Sequence, residues 1–313
     1  MTKRLQNKVA ESRLTLPVTI AYSIVVWLLA GLIKENWWIQ FSCFLISVFL
    51  ILILNNENVL IRVYSRSVSA TYAVLTCMAV SLLPSVQGAI IKLLAIASLL
   101  FLYKCYQDKS SPGLNFYAFL CIGIASLMDV RILLFLPFYW ITMLAFIYSF
   151  SIRTFIASLI GLITPYWFLG AWYFFWRGSH TLLIAHFDVF RNLEFSFSYS
   201  LLSFSQLLFI GFLLAAFLVS TIHFMLTSYQ DKIRVRQIFY NLILLTVYVV
   251  LLIALQPQLY DIAVIYLIIA ISPLVGHFFA LSYSKISNII FIVCYCLALI
   301  ITAFNLWSSL SIS

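Results

Sequence analysis

Long runs of uncharged, apolar residues recur along the whole of this 313-residue chain. A helix that crosses a membrane needs about 20 such residues, because each residue rises about 1.5 Å across a hydrocarbon core of about 30 Å. The runs are apolar on every side, whereas the strands of a transmembrane barrel alternate apolar and polar residues. The sequence therefore predicts an all-α fold, a polytopic transmembrane helix bundle that forms a single integral-membrane domain over residues 1–313.

Eleven runs have the length of a membrane span or approach it. They lie at residues 14–33, 37–54, 67–84, 88–104, 114–128, 132–150, 154–176, 200–227, 237–256, 259–282 and 287–307. The fifth run is short, and an alternative with ten spans joins it to the sixth as a re-entrant hairpin. We therefore expect about eleven spans, with ten as the alternative.

The charged residues are too few for a soluble protein. They make up 9% of the chain, and hydrophobic residues make up 65%, against about 25% and 45–50% in soluble domains. This composition excludes a soluble enzyme and a disordered chain. The net charge of +9 does not indicate a nucleic-acid partner, because no loop is long enough to fold into a basic surface.

The basic residues predict the orientation, since Lys and Arg concentrate in cytoplasmic loops. If the tail at residues 1–13 is cytoplasmic and the spans alternate, thirteen basic residues fall in cytoplasmic segments, four fall outside, and Lys92 lies within a span. Residues 228–236 then form a basic cytoplasmic loop, and residues 177–199 form the longest extracytoplasmic segment. We expect a multi-pass protein of the bacterial inner membrane, in contact with membrane lipids.

The longest outer segment holds the best candidates for chemistry. Asp188 and Arg191 are three residues apart and would be neighbours on a helix. We predict His186 and Asp188 as catalytic acid–base residues. Arg191 is predicted to bind the substrate, because the planar guanidinium fork matches the oxygens of a diphosphate. The alternative is an interfacial helix with one exposed ion pair.

A second pair of charges lies at the outer turn between the fifth and sixth runs. Asp129 is predicted to be catalytic, and Arg131 to bind the substrate as a second wall of the same outer site. The alternative is that the pair only caps the two helices that meet at this turn.

The eight tryptophans favour the outer halves of their spans. An aromatic belt at the membrane interface explains such a bias. The alternative is an outward-facing cavity whose flat rings stack on sugars or polyprenyl chains. Trp172 and Trp176, at the outer end of the seventh run, are the predicted substrate-binding rings.

The remaining polar residues predict local structure. His223 and His277, near the inner ends of their spans, are expected to be packed or hydrogen-bonded. The run Asn55–Asn58 is expected to end the second span, with a cytoplasmic gate or docking site as the alternative. No metal-ligand spacing, phosphate loop or dinucleotide fingerprint occurs, so we expect no metal and no cofactor.

Two spans carry a proline after a hydroxyl residue, at Thr164-Pro165 and Ser272-Pro273. Proline frees a backbone carbonyl and kinks a helix, and the neighbouring hydroxyl helps to satisfy that carbonyl. An ordinary packing kink explains the pattern. Broken helices at the centre of a transporter built from inverted repeats are the alternative.

The stretch from Phe116 to Trp176 resembles a family of uncharacterised multi-pass bacterial inner-membrane proteins. The resemblance is carried by Gly123–Leu127, by Leu134–Pro137, by Arg153-Thr154 and by Gly161–Tyr166. It implies no known reaction. The general layout is similar to integral-membrane glycosyltransferases and glycan polymerases. The membrane glycosyltransferases have a long first outer loop with a catalytic acid, whereas this chain has only a few residues around Glu35 in the corresponding place.

The leading hypothesis is a protein of envelope biogenesis that acts on a polyprenyl-linked glycan at an outward-facing site. A transporter or flippase is one alternative, and a non-enzymatic subunit that binds another membrane protein is the second. The sequence leaves open whether the protein is an enzyme.

Overall fold

The computed structural model describes residues 4–173, 186–188, 199 and 202–310. Every regular element in these ranges is helical, which confirms the all-α prediction. The helices are α1 Leu5–Glu11, α2 Thr15–Ala30, α3 Trp38–Asn58, α4 Ser67–Met78, α5 Val86–Lys104, α6 Pro112–Met128, α7 Leu136–Ile141, α8 Ile152–Trp172, α9 Phe204–Thr227, α10 Ile233–Leu255, α11 Tyr260–Leu281 and α12 Lys285–Leu310. Helix α7 continues a 3₁₀ turn at Val130–Phe135 and runs into a π turn at Thr142–Phe146.

Seven of the described helices are long and apolar enough to cross a membrane, namely α3, α5, α8, α9, α10, α11 and α12. Helices α1 and α2 add an eighth span if this pair, which is bent by 89°, counts as one. Helices α4 and α6 and the segment Val130–Phe146 are apolar but shorter. The chain is therefore a multi-pass helical membrane bundle, and the number eleven stays a prediction.

Large apolar side chains cover much of the outside of the bundle. On α8, Trp167 is 73% exposed and Phe168 is 70% exposed. A soluble monomer rarely exposes continuous apolar surface on this scale. These faces are suited to contact with the acyl chains of membrane lipids.

Helix α11 forms the centre of the bundle. Asp261 is its one residue that is not buried, as expected of a helix that is apolar on all sides. Helices α4, α5, α9 and α10 pack around it. A Cβ atom on Gly276 would lie 2.9 Å from the backbone of Val68, so α4 and α11 meet at backbone distance.

Helices α6 and α8 form the most extensive helix pair. A Cβ atom on Gly123 would lie 2.7 Å from the carbonyl oxygen of Leu162, and one on Gly161 would collide with the carbonyl oxygen of Phe116. Small residues at such a crossing allow close van der Waals packing, which drives helix association in lipid. The helical run of α8 continues through Pro165, which packs against Gly123.

The turns collect at two ends of the bundle. One end, here the α1 end, contains α1 and the segments 59–66, 105–111, 147–151, 228–232 and 282–284; the far end contains 31–37, 79–85 and 256–259. Contacts join turns within each end. Gln107 donates its backbone N–H to Ile147 at 2.7 Å, and the Gln40 side chain donates to the Pro84 carbonyl at 2.9 Å.

Within the N-terminal tail, Leu5–Glu11 form α1, which packs against the end of α11. Gln6 and Asn7 are buried, and their side-chain amides donate to the Ser282 carbonyl at 2.5 and 3.1 Å. Gln6 also donates to the Phe279 carbonyl at 3.3 Å. These bonds satisfy carbonyls that the end of a helix leaves without partners.

The basic segment 228–236 is shorter as a loop than the sequence suggested, because α10 begins at Ile233. The guanidinium of Arg234 donates to Asn58 Oδ1 at 2.7 Å and to the Tyr103 carbonyl at 3.0 Å. These hydrogen bonds hold the first turn of α10 against the ends of α3 and α5. Part of the charged segment thus forms the start of a helix, where Arg234 has defined hydrogen-bond partners.

The asparagine run ends α3, as its sequence indicated. Val59 takes a left-handed conformation at φ 49°, and the Leu60 N–H donates to the Asn55 carbonyl at 3.2 Å. Asn58 donates its side-chain amide to the Leu54 carbonyl at 3.0 Å. Backbone and side chains together close this helix end.

The close contact between α6 and α8 makes Gly161 sensitive to substitution. We expect Gly161→Ala to lower the free energy of unfolding by about 1–3 kcal/mol, because the added methyl group overpacks the crossing. Thermal unfolding in detergent measures this loss. The control is Gly211→Ala on α9, where the added Cβ meets nothing within 4 Å; equal stability of the two variants would contradict the packing account.

Candidate functional site

The predicted residues Asp129 and Arg131 form a close ion pair at the far end. Arg131 Nε lies 2.9 Å from Asp129 Oδ1, and Nη2 lies 2.5 Å from Oδ2. The same carboxylate accepts the Arg131 backbone N–H at 3.0 Å, which caps the 3₁₀ turn. Arg131 Nη1 donates to the Gln258 carbonyl at 3.2 Å. The pair therefore ties α6 to the turn before α11, and most of its hydrogen-bonding capacity is used within the protein.

His186 lies at the same end of α6. Its Nε2 is 2.9 Å from the Ser126 carbonyl oxygen, three residues before Asp129. Tyr166 donates its hydroxyl to Ser126 Oγ at 2.8 Å. The structure thus brings His186, Asp129 and Arg131 to one end of α6, where the sequence suggested a shared outer site.

The other predicted site residues are placed less completely. Asp188 lies in the described stretch 186–188 together with His186. Trp172 ends α8 and is 54% exposed. Arg191 and Trp176 lie outside the described residues. A catalytic or binding role for this set stays a prediction.

A buried cluster of charged side chains lies at the α1 end, where the sequence did not indicate a site. The Asp231 side chain is 2% exposed, and its Oδ2 lies 3.1 Å from Nε2 of His277, which is fully buried. Arg62 Nε lies 3.7 Å from Asp231 Oδ1. A buried carboxylate needs such partners, because an unpaired charge is costly to remove from water.

Three separate segments bring this cluster together. Asp231 lies in the short turn between α9 and α10, Arg62 lies in the segment between α3 and α4, and His277 lies one turn before the end of α11. Ser67 at the start of α4 donates its hydroxyl to the Gly276 carbonyl at 2.9 Å. The cluster therefore fixes three chain segments around the end of the central helix.

The ring of His277 is enclosed by other rings. The centroids of Phe239, Phe224 and His223 lie 4.9, 5.4 and 5.9 Å from it. Because a carboxylate only accepts hydrogen bonds, the contact with Asp231 places a proton on Nε2. In the described part of the chain, His277 Nδ1 is buried without a hydrogen-bond partner.

A cavity of about 610 Å³ opens beside this cluster. Arg62 and His223 line it together with Gln230, Ser284 and Ser287. His223 Nδ1 is a buried atom that has no hydrogen-bond partner among the described residues. This cavity thus combines a cation, an imidazole ring and several hydroxyl groups.

The cavity continues into an apolar groove between α9 and α12, over the surface of α11. A further cavity of about 190 Å³ shares Val219, Phe278 and Ile290 with the cavity at the α1 end. It extends along α9 to Phe212 and along α12 to Leu297. Apolar side chains form almost all of its walls. We call this continuous depression the seam groove.

A third cavity, of about 470 Å³, lies at the far end of the same two helices. Its walls are uncharged and include the polar residues Ser203, Ser205, Gln206 and Asn305 beside apolar surface. Residues 299–303 of α12 line neither this cavity nor the seam groove. The far-end cavity is therefore separate from the seam groove.

The sequence did carry a partial signal for the cluster at the α1 end. Alternating spans place Arg62, Asp231 and His277 on the same side of the membrane. The expectation that His223 and His277 are packed or hydrogen-bonded agrees with their surroundings. Only the fold, however, shows that residues far apart in the chain meet around one carboxylate.

No family model, no curated protein and no solved structure matches this chain.

Asp231 is expected to be the residue of this cluster on which stability depends most. Asp231→Ala removes the hydrogen-bond acceptor of His277 and the counter-charge of Arg62, and breaking a buried ion pair in this way costs about 3 kcal/mol or more. Asp231→Asn keeps an oxygen that accepts the His277 proton, so its loss should be smaller. Thermal unfolding in detergent ranks the two variants.

The control for this series is Asp108→Ala, in the turn after α5. The exposed Asp108 carboxylate accepts hydrogen bonds from the backbone N–H and the hydroxyl of Ser110, within its own turn, so little stability should be lost. If Asp231→Ala is as stable as Asp108→Ala, the cluster does not anchor the end of α11.

Proposed function

We propose that this protein is a lipid transporter that takes up a long-chain lipid along the seam groove. The headgroup enters at the α1 end, and the hydrocarbon chain lies between α9 and α12. The observation that carries the proposal is the polarity of the groove, which has apolar walls in its centre and a charged, hydrogen-bonding cavity at one end. This profile matches that of a single membrane lipid.

The shape of the groove supports a chain rather than a compact solute. Small-molecule sites are enclosed and bury most of their ligand, whereas this groove is elongated and follows two neighbouring helices. A cavity at the far end of the same helices, with serine, glutamine and asparagine side chains in its walls, gives the headgroup a second place to reside. Movement of α9 against α12 would connect the two.

In this proposal the protein lies in the bacterial inner membrane with eleven spans and a cytoplasmic N-terminus. The excess of basic residues at the α1 end supports that orientation. The lipid is a polyprenyl-linked glycan precursor used in envelope biogenesis. The headgroup is then loaded from the cytoplasmic face.

Transport is tested with the purified protein in vesicles that contain a fluorescent lipid, by measuring how fast lipid from the inner leaflet becomes accessible to a membrane-impermeant quencher outside. Ala215→Trp should reduce the rate to that of protein-free vesicles, because Ala215 lines the seam groove and is itself exposed, so the larger ring fills the groove without entering the core. Ala303→Trp is the matched control. Ala303 is also exposed, on α12, and lies in the stretch that lines neither cavity.

If wild-type protein moves the lipid no faster than empty vesicles do, the transport proposal is wrong. If both tryptophan variants are equally active, lipid movement does not use the seam groove.

The second candidate is an enzyme that acts on a lipid-linked glycan at the far end. The specific observation in its favour is the convergence of His186, Asp129 and Arg131 at the end of α6. Against it, Asp129 and Arg131 use most of their hydrogen-bonding groups on each other. The lipid-transfer assay separates the two candidates.

We expect Asp129→Asn to leave lipid movement at the wild-type rate, because Asp129 lies outside the residues that line the seam groove. Circular dichroism of the purified variant controls for folding. A folded Asp129→Asn protein without lipid movement would favour a site at the far end.

A further inference from the structure

We infer that the cavity at the α1 end is a phosphate site, which binds the phosphate headgroup of the lipid in the seam groove. This inference rests on the proposed function and adds the chemistry of the headgroup. It commits the groove to one kind of occupant, a lipid phosphate with an unbranched or prenyl chain.

Charge is the first argument. Arg62 is the only formally charged residue among those that line the cavity. Its Nε faces Asp231 at 3.7 Å, and its side chain is 34% exposed. Within the described chain no hydrogen bond engages its two terminal nitrogens. A guanidinium with a free edge binds phosphate oxygens through two parallel hydrogen bonds.

Asp231 acts as a positioning residue for this guanidinium. It does not line the cavity. One of its carboxylate oxygens lies near Arg62 Nε, and the other lies near His277 Nε2. The Arg62 side chain is thus held in place before any ligand arrives. Such pre-organisation lowers the entropy that a ligand loses by ordering its site.

His223 is the second residue at the cavity wall that can bind a phosphate. Its Nδ1 is fully buried, so Nε2 is the ring nitrogen that a ligand in the cavity can reach. A neutral imidazole that carries its proton on Nε2 donates one hydrogen bond to a phosphate oxygen.

The start of α12 adds a weaker contribution on the same side. Ser284 caps this helix by accepting the Ser287 N–H at 2.9 Å, and both residues line the cavity. The N-terminus of a helix carries a partial positive charge that favours an anion. All three features attract a phosphate and disfavour an ammonium headgroup.

The test compares two ligands that share one chain, farnesyl phosphate and farnesol, by native mass spectrometry of the purified full-length protein. Wild type should bind farnesyl phosphate about tenfold more tightly than farnesol, because hydrogen bonds to a charged group are worth at least that factor. Arg62→Gln should lose most of this preference, because His223 and the start of α12 contribute less than the guanidinium. Arg62→Lys, which keeps the charge but not the fork, should retain part of the preference.

Arg66→Gln is the matched control. Arg66 belongs to the same segment, contacts Tyr64 at the surface and does not line the cavity. Its preference for the phosphate should equal that of wild type. Thermal unfolding of each variant shows whether it is folded.

The outcomes separate the two proposals. Equal binding of both ligands by wild type overturns the phosphate site and leaves a lipid groove standing. Binding of neither ligand by folded wild type overturns the lipid groove as well. A preference in Arg62→Gln that equals that of wild type places the phosphate elsewhere. Competition by inorganic phosphate at the same concentration as farnesyl phosphate would show a site for a free anion and overturn its assignment to a lipid.

Discussion

The burial of α11 on every side is the constraint on which the rest of the structure depends. In a bilayer an apolar helix gains little by leaving lipid, so close packing and polar contacts must hold it in the centre. Gly276 provides the close packing against α4. The polar contacts gather at the end of α11, where His277 meets Asp231 and the Ser282 carbonyl meets Gln6 and Asn7.

The same constraint shapes the candidate lipid site. Helix α9 packs against α11, and α12 meets the end of α11 through the ring contacts of Phe279 with Phe291 and Tyr295. The seam groove is the space over α11 that the side chains of α9 and α12 do not fill. Asp231 anchors α11 through His277 and also contacts Arg62 at the cavity wall, and Ser282 lines the cavity. The anchor of α11 therefore adjoins the proposed lipid site at the α1 end.

The helical class and the two ends of the bundle follow from the sequence, because apolar runs and short polar turns are local features. The central position of α11 does not follow. Helices α11 and α12 have mean hydropathies of 2.2 and 2.6, yet α11 is buried and α12 is largely exposed. Lipid and protein interior are equally apolar, so hydropathy alone does not distinguish them. Asp129 and Arg131 are close in sequence, so the sequence could suggest that they form a pair. Asp231 and His277 are 46 positions apart, so only the fold shows their contact.

The most direct test of the account is where a lipid chain touches the protein. Photocrosslinking in nanodiscs, with a phospholipid that carries a diazirine in its chain, followed by peptide mapping, measures this. The account predicts that labels concentrate on the groove-lining residues of α9 and α12, between Phe212 and Val219 and between Ile290 and Leu297. Labels spread evenly over the exposed faces of α3 and α8, with none enriched in the groove, would contradict it.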